Sequence, residues 1–227
     1  MKPRVAVIPP GSNFSHNFLV SWTNFYGHLL HKCDAVWVNF PTGTFLNDVR
    51  NMGVDGNKDL SGPDFKPWNG ERDYTHILWI DSDMIYEPWM FDELMKYEHL
   101  GCVGAGYPKQ DKSSMVCAVA GADGQPHGMI SIPDKIAPVL FTGFGFLLMK
   151  RGLLEKIGYP WFNHEYLPTP WTAMGETQMG EDISFFHKLN QAGLRAYIEP
   201  KVTKAIQHEK MIGLTNKDVL RHNGLEG

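Results

Sequence analysis

Three cysteines in 227 residues, Cys33, Cys102 and Cys117, are too few and too scattered for a disulfide framework or a Cys-x-x-Cys metal clip, so reduced thiols are expected. Long apolar runs are missing too. Val5-Ala6-Val7-Ile8 is too short for the core of a signal peptide, and no later run nears the roughly 20 residues that cross a bilayer. A soluble, cytoplasmic protein without a membrane span is expected. Nor is there an excess of basic charge. The 21 Lys and Arg stand against 25 Asp and Glu, a net charge of -4, which argues against nucleic acid as a partner but leaves room for a locally basic pocket. Internal repeats and low-complexity tracts are absent as well.

What is present is 43% hydrophobic content in a chain long enough to bury a full core, and one domain over residues 1–227 is expected. Residues 5–8 read as a strand ending in the rigid Pro9-Pro10-Gly11. Phe18, Trp22, Phe25, Tyr26 and Leu29 then recur at helical spacing behind a cap at Asn13 or Ser15, and residues 35–40 read as a second strand. This βαβ opening predicts an α/β fold with a mostly parallel central sheet flanked by helices. Phe45, Val49 and Met52 predict a short helix stopped by Gly53, with Arg50 on another side as a solvated charge or a ligand contact. Turn-forming residues dominate from 53 to 73, where an irregular, mobile excursion is expected, and a turn is expected at Asp123-Gly124. The aromatics of residues 159–179 either pack on the domain or stack on a sugar or nucleotide.

The residues with chemical potential stand at the ends of these elements. Ile77-Leu78-Trp79-Ile80 suits a strand buried on both faces, and it delivers Asp81-Ser82-Asp83 at its carboxyl end, where open α/β sheets bind their ligands. Paired carboxylates there either hold a divalent cation that grips phosphates or make an ordinary Asx turn. Gly180-Glu181-Asp182 opens a helix outlined by Ile183, Phe185, Phe186 and Leu189. Acidic residues at that position can simply stabilise the helix, by about 0.3–1 kcal/mol, or serve as a base. His208 closes a short apolar segment and by itself suits a packing role. The two glycines of Thr142-Gly143-Phe144-Gly145-Phe146 predict a turn or bulge where the backbone passes close to something bound.

Taken together and in order, Val49-Arg50-Asn51, the strand ending in Asp81-Ser82-Asp83, Gly104-Ala105-Gly106-Tyr107-Pro108-Lys109, Thr142-Gly143-Phe144-Gly145-Phe146, Gly180-Glu181-Asp182-Ile183-Ser184-Phe185 and His208 resemble a GT-A-fold glycosyltransferase. The likeness is to the small family-2-like enzymes of viral, phage and bacterial genomes, and it covers residues 4–210. It implies a Rossmann-like GT-A sheet, with a nucleotide-sugar half in residues 1–100 and an acceptor and catalytic half in 101–227. It implies metal-dependent transfer, with inversion, from a nucleotide sugar such as a UDP-sugar or GDP-sugar to a hydroxyl of a glycan, glycoprotein or other acceptor. Asp81, Asp83 and His208 would serve the metal, Mn²⁺ rather than Mg²⁺ because imidazole favours the softer ion. Pro9, Gly11, Arg50, Asp81, Ser82, Asp83, Lys109, Thr142 and Gly143 would surround the donor and sugar. Asp182, beside Glu181, would be the general base.

Three other readings compete. A retaining enzyme on the same fold shares Asp-x-Asp. A nucleotidyltransferase would want a basic, Gly-rich loop after its first strand, which Pro9-Pro10-Gly11-Ser12-Asn13-Phe14 does not supply. A non-catalytic carbohydrate-binding protein would explain the aromatics, but not the joint presence of Asp81, Asp83, Asp182 and His208. Few residues follow His208 to build a second domain, so the resemblance leaves the acceptor open.

Overall fold

A computed structural model describes residues 2–55, 66–109, 113–122, 125–167 and 177–209. The first stretch forms β1 (Arg4–Ile8), α1 (His16–Lys32), β2 (Ala35–Val38) and α2 (Leu46–Asp55). Next come β3 (His76–Ile80), β4 (Met84–Ile85), α3 (Trp89–Met95) and β5 (Cys102–Gly104). The middle of the chain is β6 (Cys117–Ala120), β7 (Pro126–Gly128), β8 (Ala137–Val139), β9 (Phe141–Thr142) and β10 (Phe146–Lys150). The described residues end with α4 (Leu153–Ile157), β11 (Tyr166–Leu167), β12 (Thr177–Gln178), α5 (Glu181–Gln191), β13 (Ala196–Ile198), α6 (Pro200–Ala205) and β14 (Gln207–His208).

Among the described residues seven strands form the main sheet in the order β2-β1-β3-β10-β5-β13-β8. β1, β2, β3, β5 and β13 run one way, and β10 and β8 run the other. The expected α/β class, a mostly parallel sheet with helices on both faces, is therefore the observed one. β3 is the reason for two covered faces, because all five of its residues are buried. Ile77 and Trp79 pack into one core with Phe185, Phe186 and Leu189 of α5, while Leu78 and Ile80 pack into the other with Phe18, Phe25 and Leu29 of α1. α1 starts where Ser15 accepts the Phe18 N–H at 3.0 Å, satisfying one of the orphan donors of a helix start.

Several local expectations change. α2 does not stop at Gly53 but runs to Asp55; a Cβ on Gly53 would lie 2.8 Å from Ile8 Cγ2, so the glycine lets the helix sit close against β1. Phe45 precedes that helix and is exposed. Trp161 and Phe162 are wholly buried, so packing on the domain accounts for these two rings of the 159–179 loop. Residues 56–65 and 168–176 of the two long loops, and the Asp123-Gly124 turn, lie outside the described residues. Among the described residues no helix is long and apolar enough to cross a membrane.

Candidate functional site

The carboxyl ends of β3 and β5, the turn before β10 and the start of α5 converge on one place. After β3 the chain turns at Asp81-Ser82-Asp83, where Met84 N–H donates to the Asp81 carbonyl at 3.2 Å and Asp81 N–H to the Gly145 carbonyl at 3.2 Å. Gly11 leans on this turn. A Cβ there would stand 2.7 Å from Ser82 Oγ, and Gly11 N–H donates to the Pro41 carbonyl at 3.1 Å, while Pro9 and Pro10 are buried beneath. Among the donor residues the sequence predicts, then, Gly11 and Ser82 share one corner.

Arg50 is not a solvated charge. It is 2% exposed, with Nη2 3.2 Å from Asp81 Oδ1 and Nε 3.3 Å from Glu181 Oε1. Its guanidinium carbon lies 4.4 Å from the Phe144 ring centre and 5.7 Å from that of Trp79, and among the described residues Nη1 has no hydrogen-bond partner. Burial opposes the charge on Arg50, but Asp81 and Glu181 outweigh it and hold its pKa above the usual value. The neighbouring Asn51 grips the backbone of Phe162, donating to its carbonyl at 2.7 Å and accepting its N–H at 3.3 Å. One short helix thus ties together residues more than a hundred positions apart.

His208 arrives through a two-residue ladder in which it pairs with Met84. Its Nε2 lies 3.0 Å from Asp83 Oδ2 and its Nδ1 2.9 Å from the Pro108 carbonyl. A carbonyl only accepts, so Nδ1 donates to Pro108, and Nε2 stands within hydrogen-bond reach of the Asp83 carboxylate. The spacing suits a metal. Two donors at about 2.1 Å from an octahedral ion and at right angles lie about 3.0 Å apart. Asp81 is turned to Arg50, and among the described residues no three His, Cys, Asp or Glu side chains converge as a metal-holding group. Asp83 and His208 are therefore the pair brought together, with Asp81 alongside rather than in the same cluster.

Asp182 is partly buried at the start of α5, its Oδ1 accepting the Ile183 N–H at 2.7 Å. Burial, and then the charge of Glu181, raise its carboxyl above the ordinary carboxylate value. Burial also raises Asp81, with Arg50 pulling it back and Asp83 pushing it further up. Glu181 itself is buried against Arg50, which makes it the partner of a structural ion pair. Thr142 lies below the site, wholly buried, its hydroxyl 3.2 Å from the Ala105 and Val116 carbonyls. Lys109 is exposed, its N–H donating to the Ser114 carbonyl at 3.0 Å.

One residue at the centre was not singled out from sequence. Tyr107 is 6% exposed, lies edge-on to the His208 ring at 5.3 Å between centres, and covers both glycines of the turn before β10. A Cβ on Gly143 would fall 1.9 Å from the Tyr107 hydroxyl, and one on Gly145 2.5 Å from its Cε1. The close approach that the two glycines predict is therefore to this ring. Burial and the charge of Asp81 push the Tyr107 phenol far above its usual pKa, so it stays protonated. Glu209 was also missed. It takes hydrogen bonds from the Ser15 hydroxyl and, at 2.7 Å, from Asn17 Nδ2, while its N–H donates to the Asp83 carbonyl at 2.7 Å, so it locks the start of α1 to the Asp81–Asp83 turn.

No protein-family model matches the chain, and no curated protein sequence matches it. Solved structures do. Protein A197 from STIV superposes with a TM-score of 0.56 at 15% identity, over 93% of this chain and 97% of that one. A mutant Drosophila β-1,4-galactosyltransferase 7, solved with manganese, UDP-Gal and xylobiose, gives 0.48 at 15% identity, over 96% of this chain and 79% of that one. The likeness to A197, at this identity, is one of fold.

Proposed function

We propose that the chain is a glycosyltransferase that moves a sugar from a nucleotide-sugar donor to an acceptor hydroxyl, with inversion. The observation that carries this reading is the meeting of His208 with Asp83 across 125 positions of sequence at the carboxyl end of the sheet, where Asp182, a partly buried carboxylate, also feels the charges of Arg50 and Asp81. Asp83 and His208 would hold a divalent cation, and Asp81 would contact the donor's ribose or a metal-bound water. When bound, the ion offsets the charge of the departing diphosphate. A cleft of about 380 Å³ between Asn39, Pro41, Met52, Trp68 and Arg72 adjoins the Gly11 corner and offers room for the donor's nucleoside. Ser82 and Gly11 would line the path from that cleft to the metal pair. In a site otherwise built largely of acceptors, the protonated Tyr107 hydroxyl supplies a neutral donor.

Asp182 would take the acceptor's proton. Its Oδ1 is held by the Ile183 N–H, which leaves Oδ2 for the hydroxyl, and a carboxylate with raised proton affinity is the stronger base. Arg50 holds Asp81 and Glu181 in place from behind, and the residues before Lys109 carry the Tyr107 ring and the carbonyl that orients His208.

The test is a panel of nucleotide sugars with Mn²⁺, following release of nucleoside diphosphate with and without simple sugar acceptors. One donor should be consumed, and His208→Ala should weaken metal-dependent donor binding by at least about tenfold in calorimetry. A wild-type protein that binds no nucleotide sugar, or binds it equally well without divalent metal, would overturn the reading.

A further inference from the structure

At the other end of the sheet lies a cleft that the proposed transfer reaction does not use. Its volume is about 250 Å³, and His99, Lys150, Arg151, Lys156 and Arg195 all line it above an apolar floor that includes Leu153 and Leu194. Among the described residues no carboxylate lines it. Lys150 stands opposite His76, the first residue of β3, whereas Asp81 follows the last, so roughly 16 Å of strand separates the two ends.

Of the nearby acids, Asp73 pairs with Arg151 of the cleft, and Glu98 and Glu155 are engaged elsewhere. Asp73 sits 2.8 Å from Arg151 Nη1 and 3.1 Å from Arg4 Nη2, Glu98 lies 3.0 Å from His76 Nε2, and Glu155 accepts from the Tyr74 hydroxyl at 3.5 Å. Among the described residues Lys150, Lys156 and Arg195 have no ion-pair partner, and all three are exposed. In a chain of net charge -4, gathering these three cations beside the Arg151–Asp73 pair leaves an excess of positive charge whose repulsion an anion would relieve. Gly101 and Gly152 stand on the cleft wall with open space where a side chain would be, so the backbone itself can come up to a ligand.

We infer that this cleft binds a phosphate group, either of a soluble phosphorylated compound or of an anionic lipid head group. The volume accommodates a diphosphate, and the planar fork of Arg195 matches phosphate oxygens, with Lys150 and Lys156 adding charge. The inference does not depend on the transfer activity.

The experiment titrates inorganic pyrophosphate into the full chain in EDTA, so that the metal pair is idle, and reads binding by calorimetry and NMR. Wild type should bind, more weakly as salt is raised. Lys150→Gln/Arg195→Gln should lose about tenfold in affinity. Lys150→Arg/Arg195→Lys should retain binding, which separates loss of charge from loss of fold, and Asp83→Ala should change nothing. A second arm sediments the protein with phosphatidylglycerol vesicles. Co-sedimentation that pyrophosphate competes off and the Gln variant loses assigns the phosphate to a lipid head group, whereas pyrophosphate binding without vesicle binding assigns it to a soluble compound. No binding of either probe, equal binding by the Gln variant, or loss of binding in Asp83→Ala would overturn the inference.

Discussion

The two ends of β3 are built on opposite principles. At the carboxyl end Asp81, Asp182 and Glu181 crowd around one buried arginine, with Asp83 and His208 nearby, and burial works against the charge on Asp81 and Asp182. At the amino end the cations of the basic cleft are exposed, and solvent screens them. Groups held ionised against burial are coupled to the fold, so changing them changes stability and chemistry together. Exposed charges can be removed with little consequence for the core. The contrast gives four expectations, from the largest effect to the smallest.

Asp182→Asn should keep donor binding and slow transfer by about a hundredfold to ten-thousandfold, because the amide cannot take a proton. Near-normal turnover would leave Asp182 as a helix-start residue. The pH dependence follows from its raised pKa. The base works ionised, so wild-type transfer should fall as pH drops through a value above the ordinary carboxylate range. Stability has the opposite sign. A carboxyl raised by folding contributes stability below its unfolded pKa and loses it as pH rises through the folded one, so Asp182→Asn should melt higher than wild type at neutral pH. A lower melting temperature would break the link between burial and charge at this end.

Arg50→Met comes next. It removes the buried cation between Asp81 and Glu181 and leaves a partly buried and a buried carboxylate without it, so denaturant unfolding should show a loss of about 3–5 kcal/mol. A loss under about 1 kcal/mol would mean that the ion pair is no more than a surface one. Gly143→Ala should cost about 1–3 kcal/mol by forcing the Tyr107 ring to move, and Tyr107→Phe in the same background should recover part of it, since the clash is with the hydroxyl. Smallest is Lys150→Gln at the opposite end. Stability should stay within about 0.5 kcal/mol of wild type, and transfer should be unchanged. A large effect on either would mean that the two ends are coupled through the strands between them.

Much of the scaffold was legible because local patterns carried it. The unbroken apolar β3, the spacing of Phe18, Phe25 and Leu29, the Ser15 cap and the acidic start of α5 each follow from burial or hydrogen-bond satisfaction within a few residues. Gly53 misled for a physical reason: a glycine that ends a helix and one that lets a helix approach a strand are identical in sequence, and only Ile8, 45 positions earlier, distinguishes them. The reversed strand β10 was hidden likewise, since an apolar run does not state its direction.

By itself, then, the sequence determined the α/β class, the position of Asp81-Ser82-Asp83 at a strand end and the candidate carboxylates, because periodicity and strand polarity are local properties. Only the tertiary structure decided how they meet. It turned Asp81 toward Arg50 and Asp83 toward His208, buried Thr142 beneath the site, brought Tyr107 over the two glycines and gathered the basic cleft at the far end. Those outcomes depend on which side chains the sheet order makes neighbours, and on how burial shifts charge once they are, and neither quantity is carried by any short stretch of chain.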